Sequence, residues 1–263
     1  MASQAPNNLP LLYNDIQPIQ RQVHGDKTFR RMERIKELGT THAIPLTVDE
    51  FVLAQRWYPI VFSSGDNPVP LALMGLHEGT NIFFDGEGNL RQEGIYIPAY
   101  IRRYPFLLAR LNEGSDQLSL CIDPVADILG DGEGDPLFVG DEPSPAVNDI
   151  LAFCEQFEQA GQRTGAFMKE LGDMGLLMEG EVAIQPEGLE QPFIYRGFQM
   201  VDEEKFRGLR GDELRKMNQS GMLGIIMAHL FSLPMIRDIF ARQVEQGTGP
   251  IERIDGKPAT VEA

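Results

Sequence analysis

Two cysteines, four histidines and one tryptophan in 263 residues leave little of what metal sites, disulfide scaffolds and thiol chemistry are built from. Cys121 and Cys154 can form at most one bridge, so no disulfide framework holds the chain and a reducing compartment is the default. Positive charge is also scarce. Against 39 Asp and Glu stand 23 Lys and Arg, a net charge of −16, and that field repels nucleic-acid phosphate and anionic lipid. Nucleic acid is therefore not an expected partner. Long apolar runs are missing as well: the longest, Met222 to Pro234, includes His229 and Ser232 and falls short of the roughly 20 residues of a membrane span, so a buried core helix is expected and no membrane insertion. The first ten residues lack the basic-then-apolar pattern of a secretory leader, which makes the cytoplasm the default location.

What is present is the composition of an ordinary folded protein, 42% hydrophobic with 27 Gly and 18 Pro, in a chain long enough to bury its own core. Residues 1–40 read as an extended arm followed by a basic segment, Arg21 to Lys36, whose cations are expected to face solvent or pair with acids. Residues 41–245 read as a single domain and 246–263 as a polar tail. Thr47 and Glu50 have capping-box spacing and open a short helix. Candidate strands follow at Trp57–Ser63, Val69–Leu76, Asn81–Phe84 and Leu118–Ile122, joined by glycine-rich turns too short for crossover helices, so the pairing is antiparallel. Pro98 to Leu111 has helical spacing interrupted by Pro105, and Asp123 to Pro145 is loop-like.

From Val147 to Leu171 apolar residues recur every three or four positions, the clearest helix in the chain. A hairpin follows over Leu176–Gln185 and Phe193–Val201, turning at Pro186-Glu187-Gly188. Asp202 to Lys205 opens a short helix, and Gly221 to Val244 is helical with a break at Pro234. The fold class is α+β: short antiparallel strands and hairpins packed against a long central helix and C-terminal helices.

Local catalytic motifs are absent: no H-x-x-H or H-E-x-x-H pair, no G-x-S-x-G elbow and no phosphate-binding glycine loop. No metal site and no cofactor are expected, and catalytic residues are unknown. His229 lies inside an apolar helix and reads as a core histidine; His77-Glu78 sits at a strand-to-turn junction. Cys154 falls on the apolar stripe of the long helix and reads as an inert thiol. Asp131 to Glu142 imitates the carboxylate spacing of a calcium loop, with Pro136 where that loop needs glycine. The densest chemistry lies between Gly94 and Phe106, where Tyr96, Tyr100, Arg102, Arg103 and Tyr104 combine ring faces with paired guanidinium groups. Such residues stack on aromatics and grip carboxylates bidentately, which makes these five the candidate ligand-binding residues.

The string from Tyr96 to Phe106, the Phe153-Cys-Glu-Gln-Phe157 stretch, the Gly197 to Glu203 joint and the apolar Gly221 to Leu233 helix resemble the bacterial SapC family. The likeness runs from about Ala43 to Phe240. That family is named from a surface-array (S-layer) protein locus, and some members are labelled peptidases without a recognised catalytic motif. The resemblance implies a bacterial origin, a surface association and a surface-layer protein or peptide as partner, and it supplies no catalytic residues. Two functions are compatible with it: an accessory binding protein using the Tyr96 to Phe106 wall, or a peptide-directed enzyme, a peptidase or metal-dependent modifier, whose site is assembled from His42, His77, Glu78 or His229. Two histidines and a carboxylate meeting in one cleft would favour the enzyme.

Overall fold

The computed structural model describes residues 9–111, 118–185, 192–249 and 260–262. The expected turn at Pro186-Glu187-Gly188, the first residues of the arm and most of the polar tail lie outside them. In chain order the first half contains β1 (Gln17–Pro18), α1 (Arg21–His24), β2 (Thr28–Phe29), β3 (Ala43–Pro45), α2 (Phe51–Ala54), β4 (Ile60–Ser63), β5 (Pro70–Leu73), α3 (Ala99–Arg103) and β6 (Phe106–Arg110). Then come β7 (Leu118–Ile122), β8 (Leu129–Gly130), β9 (Asp135–Pro136), β10 (Phe138–Val139) and β11 (Glu142–Pro143). The remainder is α4 (Pro145–Asp173), β12 (Leu177–Ile184), β13 (Phe193–Val201), α5 (Glu203–Arg207), α6 (Gly211–Ser220), α7 (Met222–Ser232), α8 (Met235–Glu245) and β14 (Thr260–Glu262). This is an α+β fold, as the spacing predicts.

Two compact units arise from these elements. Unit 1 comprises residues 1–33 and 101–159, and unit 2 residues 34–100 and 160–263. In unit 1 the sheets are small and antiparallel, β1-β7-β6, β8-β2-β9 and the β10-β11 pair. Phe29, Phe106, Ile122, Leu137, Val147 and Cys154 form the buried cluster beneath them. The basic segment pairs with acids here: Lys27 Nζ lies 2.7 Å from Asp131, and Arg21 lies 3.7 Å from Asp141. The stretch from Asp123 to Pro145, expected as loop, instead supplies β8 to β11: Thr28 and Phe29 offer backbone partners to β8 and β9, and β10 pairs with β11.

Unit 2 holds the main sheet, β12-β13-β4-β5-β3, with β14 parallel to β13. Its core is aromatic and aliphatic, with Phe51, Tyr58, Phe62, Tyr195 and Phe198 fully buried. Gly180, at a bulge in β12, lies under the Phe198 ring, where a Cβ would sit 2.1 Å from a ring carbon. By length and composition Met222–Glu245 could cross a membrane. The chain breaks it at Leu233-Pro234 into α7 and α8, which bury Ile226, His229, Ile236 and Ile239 within the unit.

The long helix is fixed at both ends by its sequence. Ser144 accepts from the Val147 N–H at 3.2 Å, and Pro145 takes the first helical position, where a missing N–H costs nothing. At the far end Gly175 has φ +64°, and the Leu176 and Gly175 N–H groups bond back to Leu171 and Gly172, a Schellman closure.

Two further expectations are corrected. Asn81–Phe84 is a bend ending in a single antiparallel bridge, Phe84 to Leu90, rather than a strand: the Asn81 amide donates to the Leu38 and Thr41 carbonyls, and its oxygen accepts from Phe83 and Phe84 N–H. The Pro98–Leu111 helix stops at Arg103, and Phe106–Arg110 joins β7 across Pro105.

Candidate functional site

Glu50 anchors the start of the tyrosine-arginine segment in unit 2. The capping-box spacing brings one carboxylate oxygen within 3.0 Å of Thr47 N and 2.8 Å of its hydroxyl. The other oxygen accepts from Tyr96 Oη at 2.8 Å and from Ala99 N, the first residue of α3, at 2.6 Å. The buried carboxylate thus satisfies four donors, which is what keeps a charge tolerable there. Tyr58 Oη donates to the Tyr96 carbonyl at 2.6 Å, and burial pushes the Tyr58 phenol well above its ordinary pKa. Tyr96 is half-buried and Tyr100 buried.

The arginine end belongs to unit 1, where two consecutive arginines meet two rings one helical turn apart on α4. The Arg102 guanidinium stands 5.1 Å over the Phe153 ring and is exposed. Arg103 is 8% exposed; its guanidinium lies 4.2 Å over Phe157 and 5.8 Å over Tyr13, with Glu158 at 3.6 Å. Tyr104 packs edge-on against Tyr13 at 5.1 Å, and its hydroxyl points at Asp123 Oδ2, 3.4 Å away. Asp123, fully buried, also accepts from Asn14 N and Val125 N. Arg103 and Tyr104 are therefore packed inward, and Arg102 is the arginine whose side chain reaches solvent. Phe153 and Phe157 belong to the string quoted for the family resemblance, but sequence reading does not pair them with the arginines, although their four-residue spacing beside Cys154 places them on one helix face.

The enzyme candidates take different surroundings. His229 is completely buried and bridges Val201 and Ile60, two residues beyond the β13·β4 pairing of Phe198 with Ser63 and Gln199 with Phe62. Its Nε2 accepts from Val201 N–H at 3.1 Å, so Nδ1 carries the proton and donates to the Ile60 carbonyl at 2.8 Å. Burial lowers its pKa to about 4. Ser232 Oγ accepts from Ile60 N–H and donates to the His229 carbonyl, completing the tie between α7 and β4.

His77 sits between Thr80 Oγ1, 2.7 Å from Nε2, and Gln243 Nε2, 3.2 Å from Nδ1. The line Thr80–His77–Gln243 has the outline of a nucleophile, base and orienter. Its proton is in the wrong place. Gln243 Oε1 is taken by Leu76 N–H at 2.8 Å, which turns the amide nitrogen toward His77 and Thr248 O. His77 Nδ1 therefore accepts, Nε2 keeps its hydrogen, and the ring donates to Thr80 instead of drawing a proton from it. His42 lies near Glu78 and His77 and is lowered in pKa mainly by burial; among the described residues no three His, Cys, Asp or Glu side chains are grouped to hold a metal. Asp131, the first residue of the calcium-like spacing, is instead paired with Lys27. Both cysteines are free and buried, and burial pushes the Cys154 thiol to about 11, where it is not a nucleophile near neutral pH.

Matched against protein families, residues 19–239 fit SapC. The chain belongs to the SapC family. No curated protein and no solved structure matches it. The SapC match takes in all five tyrosine-arginine candidates, Phe153 and Phe157, His77 with Thr80, and the His229 network; Gln243 lies beyond it.

Proposed function

We propose that this SapC-family protein is an accessory binding protein for surface-layer proteins or peptides, with Arg102 on Phe153 as its ligand-facing element. The observation that carries this reading is the division of labour between neighbouring arginines: Arg103 is packed between rings, while Arg102 is exposed with its guanidinium 5.1 Å over the Phe153 ring. A guanidinium takes a carboxylate through its edge and an aromatic side chain against its face. In a protein of charge −16, a ligand with a single carboxylate suffers less long-range repulsion than a polyacid. The alternative, a peptide-directed enzyme, needs a base with an available lone pair beside a nucleophile. The tautomers of His77 and His229 and the raised thiol of Cys154 weigh toward binding without turnover.

The test compares acetyl-Phe-Asp-amide with acetyl-Phe-Asn-amide by titration calorimetry on the full chain. Binding should favour the Asp peptide, and Arg102→Ala should weaken it about fivefold or more, as expected for loss of one exposed charge-assisted contact. Arg103→Ala should instead lower Tm by roughly 5 °C. Equal affinity of wild type and Arg102→Ala, or equal binding of both peptides, rejects the assignment.

A further inference from the structure

Beside the C-terminal helix of unit 2 lies a cavity of about 320 Å³, at the small end of the range for ligand pockets. Its walls are the rings of Trp57 and Phe83 and the apolar side chains of Met235 and Ile239; its charged lining is Asp238, Arg242 and Glu245. We infer that this pocket binds a basic side chain, arginine or lysine, of a peptide ligand. The inference is independent of the reading of Arg102.

Three observations lead there. First, the pocket is held open by rigid neighbours. Phe83 packs edge-on against buried Tyr58 with centroids 4.7 Å apart, and α8 is fastened on its inner side by Gln243 to Leu76 and by Gln246 to the Ile82 carbonyl. A ligand therefore meets walls that need little ordering. Second, the charges are uncommitted. Asp238 and Glu245 form no ion pair with any described residue, and Arg242 is turned over the Phe83 ring at 5.8 Å. Two carboxylates against one guanidinium leave the lining net negative, in a protein whose whole field draws cations. Third, the rings and aliphatic walls suit the two parts of a basic side chain: methylenes against Met235 and Ile239, and the cationic head near indole and carboxylates.

Trp57 is the chain's single tryptophan, so its fluorescence reports directly on this pocket. The probes are Nα-acetyl-arginine amide and Nα-acetyl-lysine amide, with Nα-acetyl-norleucine amide and Nα-acetyl-glutamate amide as controls. The cationic probes should shift or quench the emission saturably at millimolar concentration, and the controls should not. The double change Asp238→Asn, Glu245→Gln should weaken the response at least about fivefold. Arg242→Gln should strengthen it about twofold or more, because a like charge leaves and the Phe83 face opens. All three positions carry exposed side chains, and circular dichroism checks that each variant is folded. An unresponsive Trp57, an equal response to norleucine amide, or weaker binding in Arg242→Gln overturns the inference.

Discussion

His229 shows how one side chain can take the place of a sheet rung. Continued past Gln199–Phe62, the β13·β4 register would pair Met200 with Val61 and then Val201 with Ile60; the imidazole bridges that last pair, accepting from one strand and donating to the other while stacking on Phe62 at 4.6 Å. Only the neutral ring can do both. In the unfolded chain it takes up a proton near pH 6.5, whereas the native ring resists until about pH 4. The unfolded state therefore binds more protons in that window, and stability, complete above it, falls as the pH drops through it. The loss from this group should be about 1.4 kcal/mol between pH 7.5 and 5.5, above the main carboxylate titration. His42 and His77, also lowered by burial, act in the same direction. Urea unfolding at the two pH values measures the sum, and His229→Ala should cost roughly 2–4 kcal/mol at pH 7.5 and flatten the pH slope. Unchanged stability from pH 7.5 to 5.5 would contradict the buried neutral ring.

At the level of elements, Glu50 joins a short helical turn to the beginning of α3. Each of its two oxygens serves two donors, so Glu50→Gln, which keeps the shape but turns an NH₂ group toward donors, should cost about 2–3 kcal/mol. A drop in the urea midpoint at constant slope would register it, and a midpoint equal to wild type would reject the four-donor arrangement. Half of this role is legible in the sequence, because the Thr47–Glu50 spacing is local. The other half is not, since Tyr96 and Ala99 lie more than 40 residues away. The same contrast runs through the fold. Helix α4, the β12·β13 hairpin and the break at Pro234 follow local periodicity and local chain stops, and reading them needs no partner. Phe106–Arg110 becomes a strand only because β7 is there to pair with it, and Asn81 turns its segment through bonds to distant carbonyls. Of the candidate site, the residue types were legible and their orientation was not: nothing in Arg102-Arg103 says which guanidinium turns inward, because that depends on Phe153 and Phe157 on another element.

Across the whole molecule the question is how 39 acids and 23 bases coexist. Ion pairs such as Lys27–Asp131, Arg196–Glu181 and Arg207–Glu203 have largely exposed partners, and pairs of this kind each contribute at most about 1 kcal/mol. Opposing them is the repulsion of 16 uncompensated negative charges, which acts over a range of roughly 30 Å at 0.01 M salt and about 10 Å at 0.1 M. Salt screens both terms, but it removes the long-range repulsion more completely than contacts made near 3 Å. The two therefore predict opposite signs, and repulsion should win. Tm should rise by a few degrees as sodium chloride goes from about 0.01 to 0.3 M, most of it below about 0.1 M. The basic segment sharpens the test, because Arg21 and Lys27 already sit against Asp141 and Asp131. Lys27→Glu both breaks a pair and adds two units of negative charge, so its Tm should be lower than wild type and its rise with salt steeper. A Tm that falls with added salt in both proteins would mean that the local pairs, rather than the net charge, dominate the electrostatics of this fold.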